Sequence, residues 1–169
     1  AMTGAIWLGS DATTERFFAM LWNDQAYVLE EVGAYWGRLV ECLGDDEGEL
    51  IVAVDELLGC ATVVAAQRDE WAHRVLLYVG DNQNVITWLQ SWSSGNRYVS
   101  HLLRVMVYIL ASRQMTLHPA YIRTYHNDTC DWGSREEVSK VVAQMEKWGF
   151  RRLRVDGAWE EVMAQGFVQ

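Results

Sequence analysis

The chain has 169 residues, 14 of them basic and 23 acidic, which gives a formal net charge of −9. This length fits one domain with an ordinary core, and a second full domain is not expected. Half of the residues are apolar, but no stretch of about 18 of them runs without a charge, so we expect no membrane helix and an intracellular protein of the cytoplasm or nucleus.

The first half of the chain predicts three strands and one long helix. The strands are apolar runs that form an antiparallel meander, over residues 4–11, 16–22 and 25–30. The dipeptide Asn23-Asp24 is a turn signal between the second and the third run. After a polar break, apolar residues recur with helical spacing and predict an amphipathic helix from about Glu49 to Trp71.

The second half predicts two more strands that alternate with helices. Residues 74–80 are nearly all apolar and rich in aliphatic and β-branched residues, as in a central strand covered on both faces. Helices are predicted over about 82–92, 99–110 and 134–148. Tyr121–Tyr125 predicts the fifth strand, with Pro119 delaying its start.

This order of elements predicts an α/β domain over residues 3–150. We expect a mixed five-stranded sheet, made of an antiparallel meander of three strands plus two parallel strands, with helices on both faces. Residues 151–169 are expected to be a helical or irregular extension. Most of the nine tryptophans lie on apolar faces and are expected in the core, among them Trp7, Trp36 and Trp148.

Four acidic residues lie where such a fold can collect carboxylates. Two end apolar strands, one lies on the long helix and one follows a polar loop; they are Asp11, Asp81, Glu56 and Asp131. An open α/β sheet brings side chains from its strand ends into one crevice. Glu56 lies off the main apolar stripe of its helix but on a face that is still covered, and buried glutamates are rare unless they are paired or bind a metal.

Each acid also fits a structural role by itself. Asp11 suits a turn after a strand, Asp81 an N-cap, and Asp131 the first turn of a helix. Together they suit two divalent ions about 3.5–4 Å apart, which make a hydroxide nucleophile and absorb charge on a leaving oxygen. Magnesium prefers oxygen ligands, so two Mg²⁺ or Mn²⁺ ions are the expected cofactors.

Other ligand types are not arranged for a metal. The three cysteines include no Cys-x-x-Cys pair and predict reduced, mostly buried thiols. No two of the four histidines have metal-ligand spacing on one helix face. A zinc site is therefore not expected.

Charge is distributed unevenly along the chain. From Asn82 to Asn127 there is no acidic residue, and four arginines give this stretch +4: Arg97, Arg104, Arg113 and Arg123. The remainder has 10 basic and 23 acidic residues, or −13. A basic belt that binds a polyanion and a set of arginines that solvate one face explain this pattern equally well.

Several short motifs together resemble ribonuclease H domains. They are Ser10-Asp11-Ala12, Glu56-Leu57, Gly80-Asp81-Asn82 and the run from His126 to Arg135. In that run, His-Asn is followed by two residues, a small residue, Asp, two residues and Ser-Arg, which is similar to the end of the ribonuclease H domain in reverse transcriptases of retroelements. The region from Leu102 to Asn127 is similar to the matching region of DIRS-type elements, and the resemblance covers about residues 5–148.

The resemblance implies a role for each acid and for several neighbours. Asp11 would bridge both ions, Glu56 and Asp81 would complete the shell of one ion, and Asp131 would hold the second. His126 lies near the position of a histidine that assists product departure in relatives, but its short loop fits a turn residue better. Residues expected to contact the nucleic acid are Asn82, Arg97, Arg104 and Asn127.

The activity implied is hydrolysis of the RNA strand of an RNA:DNA hybrid, by a domain of, or derived from, a retroelement reverse transcriptase. A polymerase domain is then a possible partner. One alternative is a domesticated, catalytically silent module that binds nucleic acid or a protein. Another is a related nuclease that cuts DNA, against which the Asn-x-x-Cys-Asp ending argues. The chain departs from the family where Phe17-Phe18 replace glycines, Gly59 an alanine and Gly133 a leucine.

Overall fold

The computed structural model describes residues 4–32, 48–66, 71–123 and 126–154. Within these ranges six strands form one sheet: β1 Ile6–Ala12, β2 Arg16–Leu21, β3 Ala26–Glu31, β4 Val75–Gly80, β5 Thr116–Tyr121 and β6 Arg151–Arg152. The same ranges contain five helices: α1 Gly48–Ala65, α2 Gln83–Ser91, α3 Arg97–Ser112, α4 Asp128–Arg135 and α5 Val138–Lys147. The chain is an α/β protein, and no described helix is long and apolar enough to cross a membrane.

The sheet is mixed, with the strand order β5-β4-β1-β2-β3-β6. The strands β1, β2 and β3 pair antiparallel as consecutive neighbours, which confirms the predicted meander. β4 pairs parallel with β1, β5 parallel with β4, and β6 parallel with β3. The carboxyl ends of β1 and β4 therefore lie side by side at the same edge of the sheet.

Helices cover both faces of the sheet. α1 packs on β1, β2 and β3 and also contacts α2 and α3, while α4 packs on β1 and β2. Every residue of α1 from Ala53 to Val64 is buried, so α1 is a core helix covered on all sides and not a surface helix with one apolar face. A smaller core lies under α4 and α5 and contains Phe18, Met20, Tyr27, Leu29, Cys130, Val141 and Met145.

The predicted position of the fifth strand was wrong. β5 is Thr116–Tyr121 and not Tyr121–Tyr125, and Pro119 lies inside it, opposite Tyr78. Proline cannot donate a ladder hydrogen bond, but β5 is an edge strand, and an edge strand tolerates proline because half of its N–H groups have no neighbour to bond. Residues 124 and 125 lie outside the described ranges.

Three further expectations need correction. The sheet has six strands rather than five, because Arg151–Arg152, placed in the predicted extension, pairs with the start of β3. The final helix does not begin near Ser134; α4 begins at Asp128 and α5 at Val138, separated by extended backbone at Glu136. Two tryptophans expected in the core are half exposed, Trp7 at 48% and Trp148 at 49%, whereas Trp36 lies outside the described residues.

Two of the departures from the family pattern compensate each other. A Cβ at Gly133 on α4 would lie only 2.5–2.7 Å from three ring atoms of Phe18 on β2. The Phe18 ring therefore fills the space that a side chain at position 133 would occupy. The large side chain on the strand thus fits only because the helix has a glycine opposite it, and this complementary pair keeps α4 close to the sheet.

Gly133→Ala should destabilise the protein by about 1–3 kcal/mol, because the new methyl group overpacks against Phe18. The cost should shrink when the same change is made in a Phe18→Leu background, as expected for residues in contact. Urea unfolding of the four proteins measures this coupling. Gly95→Ala is the control, since no described atom lies within 4 Å of a Cβ there. If Gly133→Ala lowers the free energy of unfolding equally in both backgrounds, the two residues are not a complementary pair.

Candidate metal centre

Three of the four predicted acids meet at one edge of the sheet. Asp11 is on β1, Glu56 on α1 and Asp81 directly follows β4. One carboxylate oxygen from each lies within 4.8 Å of the other two. Asp11 and Glu56 are buried and Asp81 is half-buried. Residues 11, 56 and 81, far apart in the sequence, therefore form one group that could hold a divalent cation.

Asp11 and Glu56 share a side-chain hydrogen bond, so one of the two carboxyl groups carries a proton. Burial raises the pKa of Glu56, and the hydrogen bond to Asp11 and the charges of Asp11 and Asp81 raise it further. The pKa of Asp11 is raised less, because hydrogen bonds from Glu56 and from the Ala12 N–H offset part of the effect of burial. Asp11 and Glu56 together thus keep one proton at neutral pH, shared in the hydrogen bond between them.

The donor set fits a hard divalent cation. Oxygen atoms of carboxylates are the ligands that Mg²⁺ and Mn²⁺ prefer. The Oε2 atom of Glu56 is buried and has no hydrogen-bond partner within the ranges that the structure describes, a state that costs free energy unless another group satisfies the oxygen. A cation held by Asp11, Glu56 and Asp81 would satisfy this oxygen and replace the proton shared with Asp11.

Asp131 lies at the rim of the centre and is not among the three mutually close acids. Its Oδ1 accepts a hydrogen bond from Arg135 Nε, one turn later on α4, at 2.8 Å. Its side chain is 40% exposed and that of Arg135 67% exposed. The charge of Asp131 nevertheless raises the pKa of Asp11, so the two carboxylates share one electrostatic field.

The two predicted asparagines act on the protein's own backbone. Asn82 is the N-cap of α2, and its Oδ1 accepts from the N–H groups of Asn84 and Val85 at 3.0 and 3.4 Å. Asn127 is only 2% exposed, and its Nδ2 donates to the Ser10 carbonyl at 3.1 Å. The structure therefore gives both residues positioning roles next to the acids.

The predicted basic residues lie on the surface. Arg97 and Arg104 are exposed on α3 and line a recess of about 430 Å³ with Ser94, Asn96, Ser100 and His101. Asn96 caps α3 there by accepting from two main-chain N–H groups. His126 is exposed and directly precedes Asn127.

Sequence reasoning missed one buried acid. Asp55 is fully buried, and among the described residues neither of its carboxylate oxygens has a hydrogen-bond partner. Burial raises its pKa to about 8. The signal was present as the dipeptide Asp55-Glu56 in an apolar helix, but an amphipathic helix would have left one of the two exposed, and α1 is buried all round.

The metal-free protein should lose stability as the pH rises. The pKa of Asp55 is raised from 3.8 to about 8, and the pKa values of Asp11 and Glu56 are raised too. The folded state therefore binds more protons than the unfolded state, and the stabilisation present below pH 4 is lost as the pH passes through the folded values. Thermal unfolding in a chelator between pH 5 and pH 9 should show a falling midpoint.

Asp55→Asn should flatten this pH dependence and raise the midpoint at pH 8, because a buried carboxyl that must ionise is removed. Glu146→Gln, an exposed change on α5, is the matched control and should leave the profile unchanged. A midpoint of the unaltered protein that rises from pH 5 to pH 8 would contradict the raised pKa values.

Comparison of the sequence with protein-family models gave no match, and comparison with curated proteins gave no significant match. The features that bear on function are therefore the geometry of the three carboxylates and the motifs that carry them.

Proposed function

We propose that the chain is a metal-dependent endonuclease of the ribonuclease H type, which cuts the RNA strand of an RNA:DNA hybrid and belongs to, or derives from, a retroelement reverse transcriptase. The meeting of Asp11, Glu56 and Asp81 at the ends of β1 and β4 carries this proposal. A meander continued by two parallel strands, with helices on both faces, is compatible with a ribonuclease H-like fold. β6 is then an addition at the far edge of the sheet.

Each acidic side chain of the centre would have a role of its own. Two divalent ions, when bound, supply a hydroxide nucleophile and stabilise charge on the leaving oxygen. Asp11 would be the ligand shared by both ions, because it lies within reach of Glu56 and Asp81 and its pKa responds to the charge of Asp131. Asp11 and Glu56 would give up their shared proton on becoming ligands, and Asp131 would become available on leaving Arg135.

The stretch without acidic residues supplies the surface for the substrate. Arg97 and Arg104 line a recess together with two serines. Guanidinium and hydroxyl groups bind phosphates without recognising the base sequence. An overall acidic protein can bind a polyanion through this local positive surface together with the metal ions.

One observation favours the second candidate, a silent module that binds nucleic acid or a protein. Asp131 is already paired with Arg135, so a fourth carboxylate is not presented to the other three. In that case the chain would bind a hybrid and a single cation but would not cut.

Cleavage of a labelled hybrid should require Mg²⁺ or Mn²⁺, and Asp11→Asn or Asp81→Asn should abolish it while leaving the fold intact or stabilised, because repulsion among the carboxylates is relieved. Asp131→Asn should lower the rate by at least about 100-fold through loss of the second ion. Asp128→Asn is the matched control, an exposed acid on the same helix, and should keep full activity.

Duplex DNA and duplex RNA tested beside the hybrid separate the candidates. Cutting of the hybrid alone supports the proposal, and cutting of duplex DNA supports the related DNA nuclease. Hybrid binding without divalent-dependent cutting in either metal would reject the nuclease and favour the silent module.

Arg97→Ala and Arg104→Ala should each weaken hybrid binding and lower the slope of log affinity against log salt by about one, because each removes one phosphate contact. Fluorescence anisotropy at several salt concentrations measures this slope. Lys147→Ala, which removes an exposed cation from α5, should leave the slope unchanged. A slope unaltered by all three changes would place the substrate elsewhere on the protein.

A further inference from the structure

Ser10 is a fully buried residue that directly precedes Asp11 on β1. Its Oγ donates to the main-chain carbonyl oxygen of Glu56 at 3.0 Å and lies 2.6 Å from the hydroxyl of Tyr78. Glu56 and Tyr78 belong to α1 and β4. One hydroxyl group thus touches two of the other elements that deliver the predicted ligands.

The direction of these hydrogen bonds follows from the groups involved. A serine hydroxyl has one proton, and a carbonyl oxygen can only accept. The Ser10 proton is therefore used toward Glu56, and Tyr78 must donate to Ser10. Burial raises the pKa of the Tyr78 hydroxyl, so its proton is retained at neutral pH. The result is a directed chain from Tyr78 through Ser10 to the Glu56 carbonyl.

The main-chain oxygen of Ser10 connects β1 to the remaining element, α4. It accepts the hydrogen bond from Asn127 Nδ2 at the start of α4, the helix that carries Asp131. All four elements that bear the predicted acids are therefore connected through Ser10: β1 by the chain itself, α1 and β4 through its hydroxyl, and α4 through its carbonyl.

Two glycines make room for these contacts of Ser10 and Tyr78. A Cβ at Gly59 would lie 3.3 Å from Ser10 Cβ, so glycine lets α1 approach β1 closely at this point. A Cβ at Gly80 would lie 2.9 Å from the Tyr78 hydroxyl, which thus lies against the backbone that leads into Asp81. One glycine thus lies where α1 meets Ser10, and the other lies beside the Tyr78 hydroxyl on β4 itself.

We propose that Ser10, with Tyr78, is the positioning residue of the metal centre, and that it sets the spacing of the Asp11, Glu56 and Asp81 carboxylates. This inference rests on the proposed divalent-cation site. Residues that hold ligands in place commonly contribute tenfold or more to metal affinity without touching the metal. Ser10 and Tyr78 reach the ligands through the backbone, so their loss misplaces the carboxylates and removes none of them.

Titration of the metal-free protein with Mn²⁺ by calorimetry, with no nucleic acid present, tests the inference. Ser10→Ala and Tyr78→Phe should each weaken Mn²⁺ binding about tenfold. The double variant should lose little more than Ser10→Ala alone, because Tyr78 acts through the Ser10 hydroxyl.

Thr62→Val is the matched control. It also removes a buried hydroxyl of α1, but that hydroxyl donates to Leu58 O within the same helix at 2.7 Å and bonds to no other element in the described part of the chain. Its Mn²⁺ affinity should stay within roughly twofold of the unaltered protein even where its thermal stability falls as much as that of Ser10→Ala.

Two results overturn the inference alone: Mn²⁺ binding by the unaltered protein with unchanged affinity in Ser10→Ala and Tyr78→Phe, or an equal loss in Thr62→Val. If Ser10→Ala does not fold, the comparison of Mn²⁺ affinity between Tyr78→Phe and Thr62→Val tests the inference in its place. An unaltered protein that binds no divalent ion overturns the proposed function and this inference together.

Discussion

The main constraint on this fold is that it holds acidic side chains where water cannot fully solvate them. Asp11 and Glu56 are buried, their carboxyl groups touch, and Asp81 and Asp131 add charge from the rim. Taking a carboxylate out of water is costly unless it is paired, protonated or bound to a cation. A shared proton meets this requirement in the metal-free protein, and a bound divalent ion would meet it through several carboxylate oxygens at once. The free energy of folding and the occupancy of the centre would then be linked.

The scaffold around this charge is built from close approaches between β1 and its neighbours. Gly59 brings α1 against Ser10, and the pair of Phe18 and Gly133 brings α4 against the opposite face. Arg16, itself buried, donates from the start of β2 to the main-chain oxygens of Ser134 and Glu136 and so fixes the end of α4. A central strand held from both faces is suited to a site in which ligand oxygens must stay within a few tenths of an ångström of their places.

The sequence predicted the elements whose periodicity is strong and missed those governed by pairing. The apolar runs of β1 to β4 and the helical stripes identify these elements because burial of one face repeats along the chain. β6 has only two residues and no period, and it exists because β3 offers it an edge. The predicted start of β5 is too late because proline is not expected inside a central strand, whereas β5 is an edge strand and tolerates Pro119. The three clustered acids were predictable from strand ends and motifs, whereas the hydrogen bond between Ser10 and Tyr78 was not, since nothing in Tyr78 marks its hydroxyl as a partner of a residue 68 positions away.

The rim position of Asp131 gives the proposed enzyme a natural order of assembly. Asp11, Glu56 and Asp81 are already close, so a first ion needs only to displace protons. Asp131 must first leave Arg135, but an ion pair with side chains 40% and 67% exposed contributes little, on the order of 0–1 kcal/mol for surface pairs. A substrate phosphate arriving beside Arg135 would compete for the guanidinium and release Asp131 in the same step. The second ion would then be recruited together with the substrate, and the same weak pair that looks like an obstacle to catalysis would make metal occupancy depend on a bound hybrid.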